Sequence, residues 1–160
     1  MRNILVVVGT VLAAVVVGCA TNPLTVAPVG PNPAGLKNQT ANGELEVYSA
    51  LAGRTEGNNP TWFQHTDYTI YDAENRPVRR VNNTVGFYAK RPRTVSLPPG
   101  DYRVKAEARD YLVVNVPVVI ESGRVTRIHL DDAWQPRVAA RKDFVLLPSG
   151  NPVGWTASSR

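Results

Sequence analysis

The stretch DYRVKAEARD, residues 101–110, decides the fold class because apolar and charged residues alternate along it. The first set is Tyr102, Val104, Ala106 and Ala108, and the charged set is Arg103, Lys105, Glu107 and Arg109. Successive side chains of a β-strand point to opposite faces of a sheet, whereas a helix repeats every ~3.6 residues. The stretch therefore predicts a strand with one buried face and one face in water.

Turn residues bound this strand and lead to further strands on both sides. Pro98-Pro99-Gly100 follows the short alternating stretch TVSL (94–97) and predicts a tight turn, and therefore a hairpin. Residues 112–120 are almost all apolar but include Pro117, which has no N–H to donate to a ladder. We expect that strand to be an edge strand or to contain a bulge. The turn ESG (121–123) precedes a last strand over 124–130.

Upstream residues add further strand signals. Leu45, Val47 and Ser49 alternate with polar residues and predict a first strand. Residues 61–72 predict one strand, in which Tyr68 and Ile70 face one way, and 83–89 predict a weaker strand. None of these stretches shows the apolar spacing of an amphipathic helix. The predicted fold is all-β, a single antiparallel β-sandwich of about seven strands over residues 44–132.

The string VSLPPGDYRVKAEARDYLVVNVPVVIESGRVTRIHLD, residues 95–131, resembles the C-terminal half of carboxypeptidase regulatory-like and PEGA-type domains. In those families a proline-glycine turn precedes a Y-x-V strand, and an xxG turn leads to the last strand. The resemblance implies a transthyretin-like or immunoglobulin-like β-sandwich. It implies no particular activity, because such folds host many functions.

The N-terminal residues 1–18 predict a secretory signal. Arg2 supplies a basic start, and residues 4–17 contain no charge. An uncharged run of this length is shorter than the ~20 apolar residues that a membrane-spanning helix requires.

The end of that run, Val16-Val17-Gly18-Cys19, resembles the lipobox of bacterial lipoproteins. The resemblance implies that Cys19 is lipidated and becomes the new N-terminus, with an ordinary cleavable signal as the alternative. Two or three acyl chains anchor a protein stably, whereas one chain binds only marginally. Ala20, in place of an aspartate, implies the outer membrane of the bacterial envelope.

Two segments flank the predicted domain. Residues 19–43 contain Pro23, Pro28, Pro31 and Pro33 and no aromatic residue, which predicts a flexible, extended tether. Residues 133–160 lose the alternation but keep Trp134, so we expect a tail that is partly docked or disordered.

Composition argues against a nucleic-acid-binding protein and against a domain held together by disulfides. The chain has 18 Lys and Arg against 13 Asp and Glu; loss of Arg2 with the signal leaves 17 against 13, or +4. The basic residues are scattered, so nucleic acid is not an expected partner. Because Cys19 is the single cysteine, the domain must be stable without an internal disulfide.

No motif for catalysis or cofactor binding is present. His65 and His129 do not have metal-ligand spacing, and Ser49 lies in no GxSxG elbow. His129 is expected on the outward face of its strand and His65 beside Asp67. We therefore predict no enzymatic activity, no catalytic residue, no metal site and no cofactor.

Aromatic residues supply the remaining functional signal. Trp62, Phe63 and Tyr68 follow a glycine- and asparagine-rich loop, and exposed rings can stack on sugars or anchor a protein partner. The function predicted from the sequence is a noncatalytic, membrane-anchored envelope lipoprotein with an interaction domain. Its partner is another envelope protein or a cell-wall polysaccharide. The alternative is a glycan- or peptidoglycan-binding module that uses these three rings.

Overall fold

The computed structural model of the protein describes residues 23–54, 62–83, 91–136 and 141–157. In these ranges the chain forms thirteen β-strands and one 3₁₀ turn, with no α-helix. The prediction of an all-β fold is confirmed for the described residues. The strands are β1 (Leu24–Thr25), β2 (Val29–Gly30), β3 (Gly43–Tyr48), β4 (Leu51–Arg54), β5 (Trp62–His65), β6 (Tyr68–Tyr71), β7 (Pro77–Val81), β8 (Thr94–Leu97), β9 (Gly100–Ala108), β10 (Tyr111–Ile120), β11 (Val125–His129), β12 (Phe144–Leu146) and β13 (Pro152–Thr156). The 3₁₀ turn, Arg141–Asp143, precedes β12.

The strands form two sheets and a ribbon. The larger sheet has eight strands: seven follow the order β12-β13-β2-β10-β9-β6-β7, and β1 pairs with β10. The smaller sheet has three strands in the order β11-β3-β8, and β4 and β5 form a two-stranded ribbon. Because β1 and β2 run parallel to β10, and β11 runs parallel to β3, both sheets are mixed. The expected plan of about seven strands, all antiparallel, is too simple on both points.

The buried faces of the two sheets share one hydrophobic core. Strand β9 contributes Val104, Ala106 and Ala108, as its alternation predicts, and β3 contributes Leu45 and Val47. Burying a valine or leucine side chain stabilises a fold by about 1.5–3 kcal/mol. The period-two pattern therefore identifies the side chains on which the stability of the domain depends.

Strand β10 lies inside the larger sheet, although Pro117 predicted an edge strand or a bulge. It pairs with β9 along one side and with β1 and β2 along the other, and its bulge lies between Tyr111 and Val114. Thr25 pairs with Asn115, but the next pair is Val29 with Val118, so the parallel partner is interrupted beside Pro117. Because the register skips Pro117 on that side, its missing N–H leaves no ladder hydrogen bond unmade.

The predicted tether is wrong for residues 24–31, because β1 and β2 pair with β10 and Pro31 bridges to Thr126, whereas residues 32–42 form no strand. Val29 is fully buried, and the Asn38 N–H donates to the Gly123 carbonyl oxygen at 2.7 Å. Only residues 20–23 separate Cys19 from the first strand.

The predicted tail also belongs to the folded unit. Strands β12 and β13 form a hairpin, and β13 pairs with β2, where Trp155 lies opposite Gly30. At Gly154 a Cβ atom would lie 2.8 Å from the Arg127 carbonyl oxygen, so glycine allows β13 to pass close to β11. The folded unit therefore extends from Leu24 to Thr156 and not over residues 44–132 alone.

Two predicted strands and one predicted hairpin have a different outcome. The turn at Pro98-Pro99-Gly100 does not close a hairpin, because β8 pairs with β3 in the smaller sheet, whereas β9 pairs with β10 and β6 in the larger sheet. Residues 61–72 do not form one strand: β5 pairs with β4, whereas β6 pairs with β7 and β9. The weaker strand predicted over residues 83–89 lies outside the described residues, except for Asn83.

Substitution at Val29 tests whether the N-terminal segment is part of the core. Val29→Ala is expected to lower the free energy of unfolding by about 2 kcal/mol, because it leaves a cavity between β2 and β13. Leu36→Ala is the matched control, since Leu36 is 92% exposed and should change stability by less than about 0.5 kcal/mol. Urea unfolding of both variants measures the difference, and equal stabilities would place residues 24–30 outside the folded unit.

Candidate functional site

Aromatic rings from distant parts of the chain meet on the outward face of the smaller sheet. Tyr48 of β3 lies opposite His129 of β11 in the register, and their rings stack with centroids 4.5 Å apart and planes at 16°. The indole of Trp134 stacks on His129 at 4.6 Å and 18°. The imidazole of His129 is thus held between a phenol and an indole, and is half-buried rather than open to solvent as its outward position predicted.

The rings continue beyond Trp134 into the C-terminal hairpin. Phe144 packs edge-on to Trp134 at 5.3 Å and contacts Trp155 at 4.7 Å. At the opposite end, His65 packs edge-on to Tyr48 at 5.6 Å and 88°. We call this set the aromatic row; its members are Tyr48, His65, His129, Trp134, Phe144 and Trp155.

The aromatic row joins the C-terminal hairpin to the smaller sheet. Such ring pairs contribute about 0.5–1.5 kcal/mol each beyond the apolar area they bury. Sugar binding by aromatic side chains requires open ring faces, and stacking within the row covers both faces of His129. The geometry therefore favours a structural role for the row over a flat platform for a glycan.

Burial sets the protonation of the groups in and beside the aromatic row. Burial among the rings lowers the pKa of His129 to about 4, and the charges of Arg127 and His65 act in the same direction. The imidazole is thus neutral near pH 7. Burial raises the pKa of the Asp131 carboxyl, which the Ala133 N–H partly offsets. Burial also raises the pKa of the Tyr48 phenol.

A buried polar network lies behind the row. The Ser49 hydroxyl donates to the Thr66 carbonyl oxygen at 2.6 Å, and the Asn83 side-chain amide donates to the Val47 carbonyl oxygen and to Ser49 Oγ. His65 Nδ1 lies 2.8 Å from the Ser49 carbonyl oxygen, which can only accept, so Nδ1 holds the proton. The Ser49 hydrogen is directed at a carbonyl, an arrangement unlike a serine activated by a base.

His65 and Asp67, which the sequence places beside each other, have different hydrogen-bond partners. Asp67 Oδ1 accepts from the Asn83 backbone N–H at 3.2 Å, and Asp67 Oδ2 lies 3.7 Å from an Arg80 nitrogen. Strand β5 ends at His65 and β6 begins at Tyr68, so Asp67 lies in the connection, whereas His65 is buried beside Ser49.

The three predicted contact rings do not form a common surface. Tyr68 is only 2% exposed, since β6 pairs with β9 and directs Tyr68 and Ile70 into the core; its prediction as a surface contact is wrong. Phe63 is 64% exposed on the β4–β5 ribbon. The side chain of Trp62 lies outside the described residues, as do Val16, Val17, Gly18 and Cys19.

Sequence reasoning did not predict that Trp134 stacks on His129 or that Trp155 contacts Trp134 and Phe144. Two of the three tryptophans of the chain lie in the segment expected to be a tail, which was an available signal for docking. Their contacts join positions far apart in the chain, and strand periodicity carries no information on such pairs.

In the ranges that the structure describes, no three His, Cys, Asp or Glu side chains lie close enough together to hold a metal ion. No helix in these ranges is long and apolar enough to cross a bilayer.

Neither a protein-family model, nor a curated protein, nor a solved structure matches the chain. The resemblances to bacterial lipoproteins and to regulatory-like domains therefore depend on the sequence motifs alone.

Removal of one indole tests the structural role of the row. Trp134→Ala is expected to lower the free energy of unfolding by about 2–3 kcal/mol, because Trp134 contacts His129, Phe144 and Trp155. Phe63→Ala is the control, and its effect should stay below about 0.5 kcal/mol because the ring is largely in solvent. Denaturant unfolding followed by circular dichroism gives both values; a Trp134 variant as stable as the control would contradict this role.

Acidification tests the environment of His129. Its pKa falls from 6.5 in the unfolded chain to about 4 in the folded protein, so between these values the unfolded state binds more protons. Stability from this group is complete above pH 6.5 and is lost as the pH falls toward 4, by about 3 kcal/mol in total. Unfolding of His129→Gln should show a much flatter pH dependence over this window.

Asp131 provides a control, because its contribution to stability depends on pH in the opposite direction to that of His129. Because its pKa is raised in the folded protein, its contribution to stability is lost as the pH rises through the folded pKa. Asp131→Asn should therefore make the acid-induced loss of stability steeper. If the unfolding free energies of the wild type and His129→Gln fall in parallel with decreasing pH, the lowered pKa of His129 is contradicted.

Proposed function

We propose that the protein is a noncatalytic lipoprotein of the bacterial cell envelope, anchored in the outer membrane through a lipidated Cys19. The observation that carries the proposal is the order of the N-terminal signals: a basic start, an uncharged run over residues 4–17, two small or aliphatic positions and then the single cysteine. Acylated Cys19 holds the chain in one leaflet, because each buried CH₂ group contributes about 0.8 kcal/mol and several chains act together.

The structure supports a short distance between this anchor and the domain. Cys19 and Leu24 are five residues apart, and an extended chain spans at most about 3.6 Å per residue. The first strand therefore lies within about 18 Å of the lipidated residue. The domain rests against the membrane surface and has no long tether with which to sample the space above it.

The arrangement of strands supports a β-sandwich of the transthyretin-like kind. Two sheets share one core, and the turn at Pro98–Gly100 joins β8 to β9 as in the regulatory-like domains that the sequence resembles. The parallel pairing of β1, β2 and β11 departs from an antiparallel plan, so the N-terminal strands are an elaboration of it.

The polar groups support a binding role in place of catalysis. Ser49 and His65 bond to main-chain carbonyl groups, which fixes them as parts of the fold. Phe63 presents its ring to solvent on the β4–β5 ribbon and is suited to contact another envelope protein or a cell-wall polymer. With Tyr68 in the core, nothing in the described residues specifically favours the glycan-binding alternative.

Cys19→Ser tests the proposed anchor. Cells that express the wild-type chain and take up an alkyne-labelled fatty acid should yield a labelled protein in the membrane fraction. The serine variant should contain no label, because an alcohol does not replace the thiol in the thioether linkage.

Membrane fractionation alone does not decide the matter, since an uncleaved signal also retains a protein in the membrane. The decisive measurement is the intact mass of the purified wild-type protein. An unmodified thiol at residue 19, or a mature chain that begins at another residue, would contradict the proposal.

A further inference from the structure

Two exposed apolar side chains lie on one face of the β4–β5 ribbon. Leu51 is 48% exposed and Phe63 is 64% exposed. The register pairs Leu51 with His65 and Gly53 with Phe63. Residues that pair directly, or that are two apart on one strand, share a face, so Leu51 and Phe63 are diagonal neighbours. Gly53, opposite Phe63, has no side chain to cover the ring. We call Leu51 and Phe63 the ribbon patch.

The ribbon that carries this patch has no third strand. In the described part of the chain, β4 and β5 pair only with each other. A two-stranded ribbon is marginally stable in water, and packing of an apolar face against another surface stabilises it. Single exposed apolar side chains are nevertheless common on proteins, and they do not by themselves indicate a partner. What distinguishes the ribbon patch is its position relative to Cys19.

The ribbon and the residues after Cys19 enter the larger sheet at the same end. Strand β1 runs parallel to β10, and β6 also runs in the direction of β10 because both are antiparallel to β9. The first residues of β1, β6 and β10 therefore lie toward one end of the sheet. The residues after Cys19 lead into β1, and the ribbon leads into β6. At the base of the ribbon, the Ala50 N–H donates to the Glu107 carbonyl oxygen at 2.9 Å, close to the end of β9 and the start of β10.

The two entry points are close together, and the chain before each has the same reach. Consecutive register pairs align one residue from each of four strands in a row: Thr25, Asn115, Lys105 and Thr69. Three strand spacings of about 4.8 Å separate β1 from β6 by about 14 Å. Cys19 precedes the first residue of β1 by five residues, and Phe63 precedes the first residue of β6 by five. Each therefore lies at most about 18 Å from the strand that follows it.

The opposite end of the sheet also carries exposed apolar side chains and supplies a comparison. Leu36 follows β2, which runs parallel to β10, and the neighbouring Asn38 N–H donates to the carbonyl oxygen of Gly123, beyond the end of β10. Val78 lies next to Pro77, which pairs with the last residue of β6. Leu36 and Val78 are both exposed, but they lie at the end of the sheet that is remote from Cys19.

We propose that the ribbon patch inserts into the boundary between headgroups and acyl chains of the bilayer that holds the Cys19 anchor. The inference rests on the proposed function, because it needs residue 19 to lie at the membrane. Apolar side chains stabilise such a contact in proportion to the area they bury. The exposed residues Glu107, Arg109 and Asp110 at the same end carry charges of both signs, so the contact does not depend on an anionic headgroup. The bilayer takes the place of the protein or polymer considered above as the partner of Phe63.

A synthetic anchor tests the contact without native lipidation. The chain from residue 19 to residue 160 is produced with a free Cys19 thiol, which is then coupled to a maleimide lipid in phosphatidylcholine vesicles. Hydrogen exchange is measured by mass spectrometry before and after coupling. Amides of β4 and β5 should exchange at least about fivefold more slowly after coupling, because opening the ribbon then also removes its patch from the bilayer. Exchange in a peptide that contains Asn38, at the opposite end, should not change.

Three variants assign that protection to the ribbon patch. The double variant Leu51→Ser with Phe63→Ser should exchange at the same rate before and after coupling, because it has no apolar side chain to insert. Phe63→Leu should keep most of the protection. The matched control, Leu36→Ser with Val78→Ser, removes two exposed apolar side chains from the opposite end and should be protected like the wild type. Circular dichroism of the uncoupled variants checks that all of them fold.

Unchanged exchange of the ribbon on coupling, equal protection at Asn38, or wild-type protection in the serine double variant at the ribbon would each overturn the proposal. So would protection that rises with the surface density of coupled protein, which would assign the patch to a second copy. Protection of the uncoupled protein by soluble peptidoglycan fragments would assign it to a polymer and overturn the proposal as well. The intact mass of the native protein reports separately on residue 19. An unmodified native thiol, together with ribbon protection in the coupled chain, would refute the proposed function but not the ribbon contact.

Discussion

Strand β10 requires hydrogen-bonding partners along both of its edges, and the rest of the structure depends on how that requirement is met. Its inward residues Val114, Val116, Val118 and Ile120 are buried, so unpaired main-chain groups beside them would be costly. Strand β9 covers one edge, and the N-terminal strands β1 and β2 cover the other. Strand β2 in turn pairs with β13, and β13 brings Trp155 to the aromatic row. One strand thus connects the beginning of the chain, its end and the outward face of the smaller sheet.

The sequence allowed some of this to be predicted, and the physical reasons for the failures are specific. Alternation in residues 101–108 gave the correct inward face of β9, because a pattern of that length has no helical equivalent. Strands β1 and β2 have two residues each, between Pro23, Pro28 and Pro31, and such segments are too short to show a period. Composition alone then favoured a tether. Tyr68 was expected as a contact because it follows Trp62 and Phe63 in the chain, whereas its alternation with Ile70 agrees with the buried position that it occupies.

The candidate functional residues likewise include some that the sequence predicts and some that only the tertiary structure brings together. Cys19 and the residues before it form a local motif that the sequence displays directly, and no tertiary contact is needed to read it. The aromatic row, in contrast, is assembled from residues between Tyr48 and Trp155 that belong to different sheets. Because β1 starts at Leu24, only residues 20–23 separate the proposed anchor from the sheet. The position of the proposed anchor therefore limits how the domain is oriented at the membrane.

Hydrogen exchange at Val26 is the most direct test of the central claim, that the N-terminal segment is a structural partner of β10. The Val26 N–H donates to the Asn115 carbonyl oxygen at 3.2 Å, whereas Leu36 lies 92% exposed further along the same segment. In the mature protein, exchange at Val26 should be slower than at Leu36 by a factor of about 1,000 or more, since release requires breaking the sheet. Equal, rapid exchange at the two amides would show that the segment is a free tether and would contradict the account.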